Sequence, residues 1–282
     1  MTAGAPRRNL DGIQPGDDAA RHAKVQVNAA PAGAEVQVNE LLAAGDDHLV
    51  LGHRLSEWCG HAPMLEEDLA LPNMGLDMLG QARALYSYAA ELEGRGRSED
   101  DIAYLRVDRE YRNCLLVERP NGDFAHTMLR QFYFAAFMHP FWQAATASID
   151  DRFAAIAAKA EKEIAYHVRH AGEWVIRLGD GTEESARRMR AAVEALHPYT
   201  DELFVDAVPA RDSVDLALVP SRPGMRARWD ATVGEVFSEA RLEIPEVAFP
   251  LSGGRQGRHG EEFGYLLAEL QYMQRTYPGL QW

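Results

Sequence analysis

Residues 162–170 read KEIAYHVRH, one side chain away from a metal-binding box. In Glu-x-x-His a carboxylate and an imidazole stand one helical turn apart, so one helix face offers both to the same metal centre. Here His167 is in place, but Ile164 stands where the carboxylate belongs. Around it Phe153, Ile156, Ala160, Ile164, His167, Ala171, Trp174 and Leu178 advance by threes and fours, the period of an amphipathic helix. The near-box therefore faces inward with its wrong residue included, and Glu163 lies at the edge of the stripe.

A second stripe, Leu71, Met74, Met78, Gln81, Leu85, Tyr88 and Leu92, has the same period and holds Met78-Leu-Gly-Gln81 at its centre. Pro72 is expected to kink the first turns of that helix. Helices are predicted at about 40–60, 64–94, 99–117, 122–149, 151–179, 182–204, 222–242 and 261–276, because β-branched alternation is almost absent and Leu, Ala, Glu, Arg and Met dominate. The fold class is all-α. Long helices joined by short connections imply an antiparallel bundle. The segment 124–142 is apolar nearly all round, as for a helix buried among several neighbours.

Composition narrows the partners. Twenty-nine basic against 43 acidic residues give a net charge of -14, which opposes sequence-independent attraction to nucleic acid or anionic lipid. No apolar run is long enough for a membrane span. Cys59 and Cys114 are the only cysteines and lack a Cys-x-x-Cys spacing, so a reducing compartment, the cytoplasm by default, is expected. Residues 1–38, rich in Ala, Gly, Pro and Asp, read as a flexible extension, and 39–282 as one helical domain.

A pair of irons in a bundle needs one carboxylate from each of two helices and a Glu-x-x-His from each of two others. Neither near-box here is complete, because a thioether and an aliphatic chain cannot bridge two irons. The residues leave two readings of the centre. In one, His167 is a hydrogen-bonded core histidine, His170 an edge histidine, and Glu163 an edge carboxylate paired to Lys159 or Lys162. In the other, Asp77, Glu163 and His170 turn inward as substitute ligands. Asp150, Asp151 and the pair Glu66 and Glu67 read as helix-start charges favouring the macrodipole. Residues 252–260, SGGRQGRHG, read as the one strongly flexible internal loop; Arg255, Arg258 and His259 there suit an anion or an acidic partner surface, or else an ordinary solvated loop.

Three longer strings carry a resemblance. LVLGHRLSEWCGHAPMLEEDLALPNMGLDMLGQARALYSYAAELEG (49–94), LLVERPNGDFAHTMLRQFYF (115–134) and LLAELQYMQRTYPGLQW (266–282) are similar to the C-subunit family of the bacterial ring-1,2-phenylacetyl-CoA epoxidases, over about residues 41–282. The resemblance implies a ferritin-like antiparallel four-helix bundle with additional C-terminal helices. It also implies a non-catalytic cytoplasmic subunit, without cofactor or metal of its own, in aerobic phenylacetate degradation. Its implied partners are the related di-iron catalytic A-subunit, which binds most of the phenylacetyl-CoA, together with a reductase and a small bridging subunit. The rival implied activity is an atypical di-iron oxygenase in its own right. Matched onto this chain, the catalytic relative's six ligand positions fall on Glu57, Met78, Gln81, His126, Ile164 and His167, of which Glu57 and His167 keep their type. The resemblance, not periodicity, puts Glu57 and His126 at the bundle centre. A Glu57–His167 hydrogen bond, with Gln81 as a further donor, is expected to fill the vestigial site.

Overall fold

The computed structural model describes residues 33–208 and 213–280. Most of the predicted 1–38 extension lies outside them, but 34–38 already form the first turn of a helix. That helix, α1 (Ala34–Ser56), is followed by α2 (Leu65–Glu93), α3 (Glu99–Tyr104), α4 (Leu115–Glu118), α5 (Phe124–Ala145) and α6 (Asp151–Gly179). The C-terminal part adds α7 (Glu183–Leu196), α8 (Ser213–Leu218), α9 (Arg226–Glu239) and α10 (Glu261–Thr276), and no strand occurs among the described residues. Several ends are fixed by their own side chains. Asp123, Asp150 and Thr182 cap α5, α6 and α7 by accepting from the backbone N–H three residues on. Pro72 does not interrupt α2.

The side-chain pairings set the directions of the four long helices. Gly45 lies against Tyr86 and Gly52 against Gly75, so α1 and α2 are antiparallel. Gln131 meets His167 and His139 meets Glu161, so α5 and α6 are antiparallel too. Asp77 meets His167 and Gln81 meets Glu163, which runs α2 against α6 and hence parallel to α5. Two parallel neighbours in sequence require a crossover. Residues 94–123 supply it, which is why the single helix predicted over 99–117 is broken into α3, a 3-10 turn at Asp108–Glu110 and α4. The result is an all-α, ferritin-like bundle with helices added at its C-terminal end.

The core is mainly apolar, and three of its buried acids lie along one side of α1. Asp46 and Asp47 are fully buried, and Glu40 nearly so. Asp46 pairs with Arg106 and accepts from the Tyr86 hydroxyl at 2.5 Å and from Arg112 N at 2.7 Å. Asp47 accepts from both terminal nitrogens of Arg255, at 3.0 and 2.8 Å, and from Cys114 N at 2.7 Å. Glu40 accepts from Arg222 Nε at 2.9 Å.

This arrangement corrects the reading of residues 252–260. Arg255 is no anion-binding group on a mobile loop: it is buried, Glu202 holds the backbone N–H groups of Gly253 and Arg255, and Glu118 holds Gly260 N and His259 Nδ1. His259 is likewise turned inward, so only Arg258 of the three stays exposed. Positive charge that looks clustered in sequence is neutralised by acids remote in sequence. Burial alone would lower the Arg255 pKa, but Asp47 and, beside it, Cys114 and Glu202 together outweigh burial, and the guanidinium stays above its ordinary range. Arg255→Met leaves Asp47 charged without its bidentate partner, and urea unfolding is expected to show a loss of about 3–5 kcal/mol; Arg258→Met is expected to change the midpoint little.

Candidate functional site

Halfway along the bundle α2 presents Met78 and Gln81, and α6 presents Ile164 and His167, all four buried. Helical period places them there: each pair is one turn apart on the inward stripe of its helix. The other two helices complete the level with residues the resemblance did not pick. The α1 backbone beside Met78 is that of Gly52, with His48 one turn away on the stripe Leu41, Ala44, His48, Leu51, Leu55. On α5 the residue in contact with His167 is Gln131.

Glu57 and His126 are therefore not central. Glu57 caps the C-terminal end of α1, half exposed, accepting from Arg54 at 2.9 Å and from Asn121 at 2.8 Å. His126 sits in the first turn of α5 with its Nδ1 2.7 Å from the Asp123 carboxylate. Each stands five residues, or about 7.5 Å of helix, from the level of the centre. No Glu57–His167 hydrogen bond forms. Instead the Gln131 amide donates to His167 Nδ1 at 3.2 Å, which leaves the Nε2–H to donate to Asp77 at 3.1 Å.

Other polar side chains pair across the α2–α6 seam. Gln81 donates to Glu163 at 2.9 Å rather than to Glu57, and Lys159 adds an ion pair to Glu163 at 3.4 Å. Glu67 stands in the first turn of α2, as expected of a helix-start charge, and is also buried at the seam, where His170 pairs with it at 3.1 Å. His48 donates from Nδ1 to Ala44 O at 2.7 Å, with Phe134 edge-on and Trp142 tilted against its ring. Burial pushes its pKa from 6.5 down to about 4, against the opposing pull of that hydrogen bond and of the Asp47 carboxylate.

These residues do not fit a pair of irons. Two hard cations need bridging carboxylate oxygens, and the two boxes hold a thioether and a butyl group where carboxylates belong and, in one, an amide where the imidazole belongs. The three groups that could have substituted are each committed elsewhere: Asp77 to His167, Glu163 to Gln81 and Lys159, His170 to Glu67. Among the described residues no three His, Cys, Asp or Glu side chains converge as a ligand set. The polar cluster orients side chains and closes the middle of the bundle. His48 was legible in principle, since it falls on a clean inward stripe; Gln131 was hidden in a helix with no polar face.

Bundle topology and central residues together define the class, ferritin-like chains whose box positions are only partly kept. The chain belongs to the phenylacetic acid catabolic protein family, whose model matches residues 23–282. It is similar to the C-subunit of the 1,2-phenylacetyl-CoA epoxidase of Escherichia coli (strain K12): 48% identical over 248 residues, covering 86% of this chain and 97% of that protein. None of the helices among the described residues is long and apolar enough to cross a membrane.

Two expectations follow from the geometry. Gln131→Leu removes the donor to His167 and is expected to cost about 1–3 kcal/mol in urea unfolding, whereas Glu57→Ala, at a half-exposed helix end, is expected to cost less. The fold holds His48 neutral, so its contribution is complete above pH 6.5 and is lost as pH falls towards 4, about 3 kcal/mol over that interval. His48→Asn keeps a donor near Ala44 O and removes the titration; stability measured from pH 7 to 4 is expected to fall less steeply for it than for the parent.

Proposed function

We propose that this chain is a non-catalytic, structural component of a phenylacetyl-CoA 1,2-epoxidase, an assembly that oxygenates the aromatic ring of phenylacetyl-CoA in aerobic phenylacetate degradation. The single observation that carries the reading is the centre of the bundle. Met78 and Ile164 occupy two box positions, and His167 commits both ring nitrogens to Gln131 and Asp77. Similarity to a C-subunit supports the assembly, and the packed centre supports the division of labour within it.

On this reading the irons belong to a related catalytic subunit, which also binds most of the phenylacetyl-CoA, while a reductase delivers electrons and a small further subunit bridges the assembly in the cytoplasm. This chain needs no cofactor. A bundle relieved of buried metal-binding carboxylates packs without the cost of desolvating them, and it offers a rigid body for the catalytic subunit to lean on. The stabilising effect is then one of mass action: whatever binds the catalytic subunit in its folded form, but not in its unfolded form, raises its stability.

The test is reconstitution. Each subunit is purified by itself, chelated, desalted and analysed for iron, then assayed with reductase, oxygen and phenylacetyl-CoA singly and in combination. This chain is expected to hold far less than about one iron per molecule and to turn over nothing alone, and adding it is expected to raise the solubility and activity of the catalytic subunit. Turnover by this chain alone, or a catalytic subunit equally stable and active without it, overturns the proposal.

A further inference from the structure

The outer face of α2 carries a row of apolar side chains that the bundle does not cover. Leu65, Leu69 and Leu76 are 70%, 59% and 65% exposed, and Pro72 stands half-buried in line between them. Their spacing is four, three and four, and Arg83 continues the row seven residues on. Alternation of four and three is the register by which one helix presents a seam to another. The same helix already commits a different stripe, Leu71, Met74, Met78 and Leu85, to its own core. It is thus apolar on two opposite sides, and only one of them is filled.

The neighbouring helix adds charge beside this row. The pair Asp77–His167 joins α2 to α6, and the residues just before each partner, Leu76 and Tyr166, are exposed on the two helices flanking that seam. Along the outer side of α6 stand Lys159, Lys162 and Arg169, all exposed. Lys159 is shared with Glu163, but Lys162 and Arg169 have no carboxylate within ion-pair distance among the described residues; Arg169 only covers the Tyr166 ring. In a chain of net charge -14 with just three lysines, two lie on this one face.

We propose that the α2–α6 outer face is a docking surface for a partner subunit that lays a long helix along α2, with carboxylates flanking its apolar seam to meet Lys162 and Arg169. The inference rests on the subunit reading above and adds where the partner sits and what chemistry it presents. A second copy of this chain fits worse, because it would bring two bodies of net charge -14 together. The row lies on the convex side of a helix, where a helix packs and a small ligand finds no enclosure.

The experiment uses the full chain, tagged and co-expressed with the other epoxidase subunits of the same organism. Leu69→Glu/Leu76→Glu is expected to lower recovery of the catalytic subunit by about tenfold or more, while Leu69→Met/Leu76→Met retains it. Lys162→Glu/Arg169→Glu is expected to weaken recovery more at low salt than at high salt. Helical circular dichroism and the Tm of each isolated variant are expected to match the parent, since none of these side chains is buried. Undiminished recovery with both double Glu variants overturns the docking surface and leaves the subunit reading standing. Failure of the unaltered chain to recover any epoxidase subunit overturns that reading, and the surface with it. If sedimentation shows a homodimer of the isolated chain that Leu69→Glu/Leu76→Glu dissociates, a second copy occupies the face and the proposed partner is wrong.

Discussion

A carboxylate placed out of reach of water must be met by donors, or the helix that carries it cannot pack. On α1 this constraint operates three times within eight residues, at Glu40, Asp46 and Asp47. The donors come from everywhere else: Arg106 from the segment after α3, Cys114 N from the crossover, Arg222 from the turn before α9 and Arg255 from the loop before α10. Segments that share no helix are therefore fixed to the bundle through one side of one helix. The C-terminal helices are held by this polar joint as well as by their own apolar stripes, and Glu118 and Glu202 extend it by gripping the backbone of 253–260.

The same logic distinguishes the seams of the bundle. Along α1–α2, backbone meets backbone, since Gly52 and Gly75 leave no side chain between them. Along α2–α6 the meeting is polar, through Glu67–His170, Asp77–His167 and Gln81–Glu163. Each of these carboxylates and histidines thus has a side chain of the facing helix as its partner.

Helical period alone made much of this visible. It placed Met78, Gln81, Ile164 and His167 on inward stripes, found the long helices and anticipated the Lys159–Glu163 pair. It failed where no period exists. On α5 every face is apolar, so a resemblance had to choose the central residue and chose His126, one and a half turns from Gln131. On α1 the choice of Glu57 passed over His48, although the stripe through Leu41, Ala44, Leu51 and Leu55 points to it. The loop 252–260 misled for a different reason: glycine and arginine look solvated when their acids, Asp47, Glu118 and Glu202, are scattered through the sequence.

That scatter also sets an order of events during synthesis. Asp47 leaves the ribosome with the first helix, while the arginine that grips it follows 208 residues later. At roughly 5–20 residues per second the wait is about 10–40 s. Until then Asp47 has Cys114 N and the more distant Arg222 to meet it, but lacks its bidentate partner. A chain that stops before Arg255 leaves a fully buried Asp47 without that pair.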